Sequence, residues 1–416
     1  MAWRSERPRL QSCDKTCAGP MLGRLVIAAL WKSGQGSALR GSSGNRKAGL
    51  AWRPRGRRSE ALKQTFSSIQ ALRGLAAALV VIAHIIEHPL HGAPNAVLLT
   101  GRFGVEIFFV ISGFVMTHVA GDGPFAPRDF AIRRLLRIVP LYWACSILVF
   151  AVALAAPNVF KTTVADFKHL AASLFFIPDP DPVNQTDWRP LYKLGWTLNY
   201  EMFFYAALMV LFWCRSSRER SVILTLALGS LVVLSFVIPP KESMLAFYLN
   251  IALLPFLVGV WMAEFAAVFQ RVPRWGVAGL LAAAVLSVIA LYRVDFEDLR
   301  ALGGHAIMTA AATFIVAAGL ACEQKFPRRG FARMVGDSSY SLYLTHMFVV
   351  GAAWAVIDRL PVPGAVRWAG GFLIAGACLL MAYHSFRWVE TPFNRLAQRL
   401  TGRTARARQA GPAIAQ

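Results

Sequence analysis

About ten stretches of this sequence are long and apolar enough to cross a lipid bilayer as helices, and this constrains the fold more than any other feature. A crossing needs about 20 mostly apolar residues, and 416 residues accommodate about ten of them with short connections. The chain is 56% hydrophobic and 16% charged, which is typical of membrane proteins. The sequence therefore predicts an all-α, polytopic transmembrane helical bundle. The predicted spans cover residues 69–87, 103–120, 138–156, 195–214, 221–238, 245–265, 276–292, 304–321, 338–357 and 367–386.

The distribution of Lys and Arg predicts the orientation of these spans. With a cytoplasmic N-terminus, the inside segments carry 33 basic residues and the outside segments carry 10. Without the two basic tails the counts are 13 and 10, and every inside loop is basic. The positive-inside rule then places both termini in the cytoplasm of a bacterial-type inner (plasma) membrane. Because this topology signal accounts for most of the net charge of +22, we expect the lipid bilayer as a partner and no nucleic acid.

The two ends of the chain differ in composition from its apolar centre. Residues 1–65 hold 14 basic and three acidic residues without sustained periodicity, which predicts a disordered cytoplasmic extension. Residues 66–395 form the predicted membrane domain, and residues 396–416 a basic cytoplasmic tail. The six cysteines are scattered without metal-ligand spacing, so all are expected to be free thiols. They are Cys13, Cys17, Cys145, Cys214, Cys322 and Cys378.

The first apolar stretch, Ser68 to His88, carries a cation near its start and an imidazole near its end. Arg73 and His84 are 11 residues apart, which is about 16 Å along a helix axis. Eleven steps of 100° make about three turns, so both side chains fall on nearly the same face. Ionisable groups inside a span normally face a cavity or a partner. This stripe therefore indicates a route for chemistry through the membrane, around which the other spans pack.

Other buried polar residues are candidates to act with His84. Glu106 opens the second span, Glu201 lies early in the fourth, and His346 lies in the ninth. A carboxylate beside an imidazole fixes its tautomer and raises its basicity. The alternative is that each histidine is neutral and satisfied by a backbone carbonyl, but ionisable residues within a membrane are more often functional.

A metal site at the end of the first span is a weaker possibility. His84, His88 and His91 follow one another at i, i+4 and i+7, with Glu87 alongside, a spacing that ligands on a helix use. Pro89 ends the helix before His91, which removes the third ligand from the shared face. We therefore predict no metal.

A basic motif follows the second span on the predicted cytoplasmic side. In FAIRRLLRIVPLYW, Arg133 and Arg137 share a helical face and Arg134 lies beside them. Guanidinium groups bind phosphates through paired hydrogen bonds, so the motif suggests a phosphate-bearing cytosolic donor. The alternative is ordinary positive-inside charge.

Taken together, these motifs resemble the acyltransferase 3 family of integral membrane O-acyltransferases, especially the branch acting on exopolysaccharides. An arginine eleven residues before a histidine in the first helix is the hallmark of that family, and Arg73 with His84 match it. Residues 1–65 are not family-like. The matching stretches occur in the family's order: SIQALRGLAAALVVIAH (68–84), GRFGVEIFFVISGFV (101–115), RRLLRIVPLYW (133–143), WTLNYEMFFY (196–205), SSYSLYLTH (338–346) and VETPF (389–393).

The resemblance implies transfer of an acyl group, usually acetyl, from cytosolic acetyl-CoA to a hydroxyl of a glycan or lipid-linked sugar. Acyl-CoA would be a co-substrate, with no tightly bound cofactor. The implied catalytic residues are His84 as general base and Arg73 for the donor or developing charge, with Glu106 or Glu201 orienting the imidazole. The implied donor-binding residues are Arg133, Arg134, Arg137, Tyr340 and His346. Direct transfer and an acyl-histidine relay both stay open, while no GxSxG elbow suggests a serine nucleophile.

Two other classes of membrane protein fit part of the sequence. A transporter or flippase of a glycan or lipid intermediate would also have many spans with charges inside them, but no internal repeat or pair of matched broken helices is visible. A non-catalytic scaffold or receptor would have no use for a buried Arg and His on one stripe. Consumption of acetyl-CoA by the purified protein distinguishes the enzyme from both.

Overall fold

The structure is a computed structural model that describes residues 66–89, 95–160, 162–238, 243–291, 293, 302–361 and 363–402. This part of the chain is helical and contains no strand, which confirms the all-α prediction for it. The predicted extension 1–65 and residues 403–416 of the predicted tail lie outside the described residues. The helices are α1 (Ser67–Glu87), α2 (Asn95–Ala120), α3 (Pro127–Ala155), α4 (Phe167–Leu174), α5 (Trp196–Val210), α6 (Ser217–Val237), α7 (Met244–Tyr248), α8 (Leu254–Glu264), α9 (Ala266–Phe269), α10 (Arg274–Leu291), α11 (Leu302–Ala321), α12 (Phe331–Asp337), α13 (Ser339–Ile357), α14 (Gly364–Ser385) and α15 (Thr391–Leu400).

Eight helices of the described residues are long and apolar enough to cross a membrane. They are α1, α2, α3, α6, α10, α11, α13 and the continuous helix of α14 and α15. The other two predicted spans coincide with α5 and α8, which have 15 and 11 residues and are shorter than a crossing requires. The multi-span prediction is therefore confirmed, whereas a count of ten crossings is not.

α1 lies between two groups of helices. One side, with Leu72 and Ala76, packs into a core shared with α2 and α11. The opposite side, with Ala77 and Val81, packs into a core shared with α13 and α14. Phe108 of α2 touches both of these cores and a third one built on α3 and α5. The stripe that carries the predicted site residues therefore faces protein on several sides.

α2 and the short helix α8 approach each other backbone to backbone. A Cβ atom added at Gly113 would lie 2.1 Å from the Phe256 carbonyl oxygen, and one added at Gly259 would lie 2.0 Å from the Val110 carbonyl oxygen. Only glycine permits this approach, which is a common way for helices to pack in membranes. The contact fixes the register of α2 beside Ser112, a residue that lines the cavity described below.

A π-helical turn, Phe386–Glu390, joins α14 to α15. Such a turn is wider than an α-helical one and shifts the register of the side chains that follow it. At this turn Trp388 is 72% exposed, whereas Glu390 is 2% exposed. The turn thus places a carboxylate inside the bundle at the end of a helix that otherwise faces outward.

Candidate active site

A cavity of about 240 Å³ lies between α1, α2, α3, α5 and α13. It combines three guanidinium groups with one carboxylate, so its net charge is positive and suits an anionic ligand. Aromatic and aliphatic side chains form the rest of the wall. The polar lining consists of Gln70, Arg73, Ser112, Arg134, Arg137, Thr197, Glu201, Tyr205, Tyr340 and Tyr343.

Arg73 enters this cavity from α1, as its position on the predicted inward stripe suggests. Its Nη1 donates a hydrogen bond to Oε1 of Gln70, one turn earlier on the same helix, at 3.2 Å. The other charged groups that act on it are Arg137, Glu390 and Glu201. The guanidinium is half-buried and keeps most of its donors available to a ligand.

Of the three predicted donor-binding arginines on α3, two line the cavity and the third does not. Arg134 and Arg137, three residues apart, share the lining face. The Nε of Arg134 is buried without a hydrogen-bond partner among the described residues, and its guanidinium lies 5.8 Å from the ring centre of Phe130. The sequence grouped Arg133 with Arg137, but the orientation of α3 leaves Arg133 outside the lining.

Glu201 faces the arginines from α5. Its Oε1 accepts hydrogen bonds from the hydroxyl of Ser112 at 3.2 Å and from the hydroxyl of Tyr205. Its charge acts on both Arg73 and Arg134. Glu201 thus belongs to the cavity. In the described residues it makes no hydrogen bond to His84, the imidazole that Glu106 or Glu201 was expected to orient.

Two tyrosines of α13, Tyr340 and Tyr343, form part of the cavity wall. The hydroxyl of Tyr340 donates to the carbonyl of Ile138 on α3 at 2.6 Å. The hydroxyl of Tyr343 lies 3.0 Å from the hydroxyl of Thr197 and 3.0 Å from the carbonyl oxygen of Leu194. Both side chains are therefore held by their own hydrogen bonds, which gives the cavity a rigid wall.

His84 and His346 form a pair on the far side of Tyr343. Nδ1 of His84 lies 2.8 Å from the carbonyl oxygen of Val80, and Nδ1 of His346 lies 2.7 Å from that of Tyr343. Carbonyl oxygens only accept, so in the neutral pair both Nδ1 atoms carry the hydrogen. Nε2 of His346 lies 3.4 Å from Nδ1 of His84. Nε2 of His84 is left with a lone pair and no hydrogen-bond partner among the described residues, as a general base requires.

Arg73 in the cavity and His84 in the histidine pair are about 16 Å apart along the axis of α1, as helix geometry predicts. Tyr343 connects them, since it lines the cavity and its ring centre lies 6.2 Å from that of His346. Phe108 of α2 packs against Tyr343 at 6.0 Å between ring centres. His346, which the sequence assigned to donor binding together with Tyr340, is therefore next to His84 and not among the cavity residues.

Glu106 lies in a separate polar cluster between α2 and α11. Its Oε1 accepts a hydrogen bond from the hydroxyl of Thr309 at 2.5 Å and lies 3.3 Å from Nε2 of His305. Within the described residues, no hydrogen bond joins Glu106 to His84. The prediction that Glu106 orients His84 is not supported by these contacts, because α2 presents this carboxylate to α11 rather than to the α13 side of α1.

His84 and His88 are spaced like metal ligands in the sequence, but in the structure their side chains have different partners. His88 forms an ion pair with Asp358 at 3.1 Å between Nε2 and Oδ2, and its ring lies 5.1 Å from that of Trp354. His84 points to His346 instead. No group of three His, Cys, Asp or Glu side chains in this part of the chain is arranged for a metal ion, and His91 lies outside the described residues.

Comparison with known proteins assigns the chain to a family. A family model described as an acyltransferase domain matches residues 66–384. The chain belongs to the acyltransferase 3 family. It is 33% identical to the exopolysaccharide production protein ExoZ of Rhizobium meliloti over 253 residues, which are 60% of this chain and 77% of ExoZ. It is 26% identical to the O-acetyltransferase OatA of Staphylococcus aureus over 359 residues, which are 79% of this chain and 57% of OatA. No solved structure matches it. The chain is thus a membrane-embedded O-acyltransferase.

Sequence reasoning missed several residues that shape the site of this acyltransferase. Tyr205 and Tyr343 lie within motifs that were recognised, WTLNYEMFFY and SSYSLYLTH, but neither was singled out. Glu390 lies within VETPF, which was also recognised. Its isolated acidic side chain in an apolar stretch was the sequence feature from which it could have been identified as a site residue. Its inward direction depends on the π turn, which periodicity does not predict.

Proposed function

We propose that this acyltransferase moves an acyl group, acetyl first among them, from cytosolic acyl-CoA to a hydroxyl of a surface or extracellular polysaccharide or lipid-linked sugar. The proposal is carried by one observation: an arginine-lined cavity and a histidine with a free Nε2 lie on one stripe of α1. The name of the relative from R. meliloti points to exopolysaccharide, and that of the S. aureus relative to O-acetyl transfer. Acyl-CoA acts as a co-substrate.

In this proposal the cavity holds the donor. Arg134 and Arg137 provide guanidinium groups for the phosphates of CoA, because they present planar donor pairs that match phosphate oxygens. Arg73 adds a third guanidinium from α1. Its axial separation of about 16 Å from His84 favours donor binding over stabilisation of charge at the reacting carbon. The extended pantetheine arm then runs past Tyr343 and brings the thioester to the histidine pair.

The chemistry needs one base at the thioester. Nε2 of His84 takes the proton of the acceptor hydroxyl as its oxygen attacks the thioester carbonyl carbon. The carbon–sulfur bond breaks, and the sulfur leaves as a thiolate that recovers this proton from His84. The products are an O-acyl ester and free CoA thiol. An acyl-histidine relay would use the same lone pair as a nucleophile, and trapping of labelled acetyl on the protein distinguishes the two routes.

The proposed direction of transfer depends on the topology inferred from charge. Both termini are cytoplasmic in this proposal, and the protein lies in a bacterial-type inner membrane. The loop around Trp188 then faces outside, toward the acceptor. Cysteine labelling of single-cysteine variants in spheroplasts tests it: a residue within 180–190 that stays protected from an impermeant reagent contradicts the orientation.

The decisive experiment is acyl transfer by the purified protein. The protein in nanodiscs is given labelled acetyl-CoA and polysaccharide or lipid-linked oligosaccharide from a strain lacking the gene. We expect release of CoA thiol together with base-labile acetyl on the glycan. In proteoliposomes, movement of the glycan across the membrane without consumption of acetyl-CoA would instead indicate a transporter.

A further inference from the structure

Glu390 is a buried carboxylate whose position is fixed by a neighbouring helix. It ends the π turn and is 2% exposed. Its Oε1 accepts hydrogen bonds from the backbone N–H of Ser341 at 3.0 Å and from the hydroxyl of Ser341 at 2.5 Å. The Ser341 hydroxyl also lies 3.1 Å from that of Ser385. The carboxylate is thereby held against α13, beside Tyr340 of the cavity wall.

The second oxygen of Glu390 faces a different environment. Oε2 is buried without a hydrogen-bond partner among the described residues. Ser341, which holds Oε1, follows Tyr340 in the chain, and Tyr340 lines the same cavity as Arg73 and Arg137. The charges of both arginines oppose that of the carboxylate, although neither guanidinium makes an ion pair with it in this part of the chain. A buried charge is costly unless other charges compensate it. The charges of Glu390 and the two arginines therefore compensate each other without an ion pair among the described residues.

We propose that Glu390 is a positioning residue for the cavity, a fixed counter-charge that offsets part of the positive charge of Arg73 and Arg137 while leaving their hydrogen-bond donors free for the ligand. Ser341 is essential to this arrangement because it occupies Oε1 and restrains the carboxylate. The inference rests on the proposed function, in which these arginines hold the phosphates of acyl-CoA.

The consequence concerns release of the product. CoA carries the same phosphates as acyl-CoA, so a cavity with more positive charge holds the substrate and the product more tightly alike. Such uniform binding lowers KM without lowering the barrier to transfer, and slow release of CoA then limits kcat. The counter-charge of Glu390 keeps the affinity for CoA in a range that permits turnover.

Two substitutions should change CoA affinity in opposite directions. Glu390→Gln keeps an acceptor oxygen for Ser341 and removes the charge, so the Kd for CoA and the KM for acetyl-CoA should fall by about threefold to tenfold at low salt. Its kcat should fall as well, and added salt should restore it. Ser341→Ala keeps the charge and the backbone N–H but removes the hydroxyl, which loosens the restraint on the carboxylate and favours its pairing with Arg137, so CoA binding should weaken. Both are measured by calorimetry with CoA alone and by steady-state transfer in nanodiscs.

The chain provides a matched control in Glu323. This carboxylate also binds serines on a neighbouring helix, since its oxygens accept from the N–H of Ser67 at 2.6 Å and from the hydroxyl of Ser68 at 2.5 Å, but it does not line the cavity that holds the arginines. Glu323→Gln should leave CoA affinity and its salt dependence unchanged, and Glu390→Asp should retain the wild-type salt dependence.

The outcomes separate this inference from the proposed function. If the wild-type protein binds CoA and Glu390→Gln binds it equally or more weakly, with unchanged salt dependence, Glu390 is not a counter-charge. The same conclusion follows if Ser341→Ala strengthens binding, a result that remains informative even where Glu390→Gln does not fold. If the wild-type protein binds no CoA, the proposed function itself fails.

Discussion

Nδ1 of His84 lies 3.4 Å from Nε2 of His346, and both rings are anchored to backbone carbonyls of their own helices. The partner of the hallmark histidine in α1 is thus a second histidine from α13, where a carboxylate was expected. An imidazole acceptor fixes the same tautomer of His84 as a carboxylate does, but it leaves the pair without a negative charge. The two helices therefore hold two imidazoles against each other inside the bundle, with no carboxylate bonded to either ring among the described residues.

The first prediction concerns His84 itself. His84→Ala should reduce acetyl transfer by about 10²- to 10⁴-fold, the usual contribution of a general base, and His84→Gln should fail as well because an amide cannot take up the proton. Transfer is measured in membranes matched for expression. The control is His88→Ala, which removes an ion pair with Asp358 at the end of α1 and should be mild. Near-normal activity of His84→Gln, or equal damage from His88→Ala, would show that His84 is not the base.

The second prediction concerns the role of His346 as the hydrogen-bond partner of His84. His346→Phe removes the acceptor and should lower kcat with little change in KM for acetyl-CoA, because the residue lies outside the donor cavity. His346→Gln offers an amide oxygen to Nδ1 of His84 and should retain more activity than the phenylalanine variant. If these variants instead raise the KM for acetyl-CoA and preserve kcat, His346 acts in donor binding.

The third prediction separates the arginines of α3. Arg134→Ala and Arg137→Ala should each weaken binding of acetyl-CoA by about 1.5–3 kcal/mol, which is roughly tenfold to a hundredfold in Kd. Lysine should rescue only partly because it lacks the planar fork. Arg133→Ala is the control, since Arg133 does not line the cavity. If Arg133→Ala weakens the binding of acetyl-CoA as much as the other two, the assignment of the lining face is incorrect.

The fourth prediction concerns stability at the predicted cytoplasmic side. Arg220 is 1% exposed, and its guanidinium donates to the carbonyls of Gly121 at 2.9 Å, Gly123 at 2.5 Å and Leu211 at 3.4 Å. Arg220→Ala removes all three hydrogen bonds and leaves the carbonyls of Gly121 and Gly123 without a donor, because Leu211 still accepts from the N–H of Cys214, and it should cost about 3 kcal/mol or more. Thermal unfolding in detergent should show a clear drop in Tm, compared with little change for the exposed Arg218→Ala. Equal Tm values for the two variants would contradict this role.

Much of this architecture followed from periodicity and composition, and the exceptions have physical causes. The stripe of Arg73 and His84 was predicted because helical spacing is regular. The partners of Glu106 and His84 were not predicted, because they depend on which neighbouring helix lies against each face. The sequence predicted membrane crossings at α5 and α8, but both helices are shorter than a crossing requires. A short helix packed inside a bundle is as apolar as a helix that crosses the membrane, so composition does not distinguish the two. The inward turn of Glu390 depends on one inserted residue in the helix.

The last prediction concerns the loop before α5, which packs near the histidine pair. Lys193 forms ion pairs with Asp181 and, at 2.9 Å, with Asp187, which also pairs with Arg189 at 2.8 Å. The next residue, Leu194, accepts the hydrogen bond of Tyr343. Burial acts to raise the pKa of Asp187, but hydrogen bonds from Arg189 and Lys193 outweigh it and hold that pKa well below its usual range. The charge cluster therefore anchors the loop beside the site.

A lowered carboxyl pKa contributes stability that is complete above the ordinary aspartate value and is lost as the pH falls toward the lowered one. The protection factors of residues 187–195, in which the intrinsic pH dependence of amide exchange is divided out, should therefore stay high at neutral pH and fall below about pH 4. Asp187→Asn removes the charge and should give the fast exchange already at pH 7. Asp179→Asn, whose partner Lys168 is 77% exposed, should have a smaller effect because exposed ion pairs contribute little. Equal exchange rates in Asp187→Asn and the wild-type protein at pH 7 would show that this cluster does not anchor the loop.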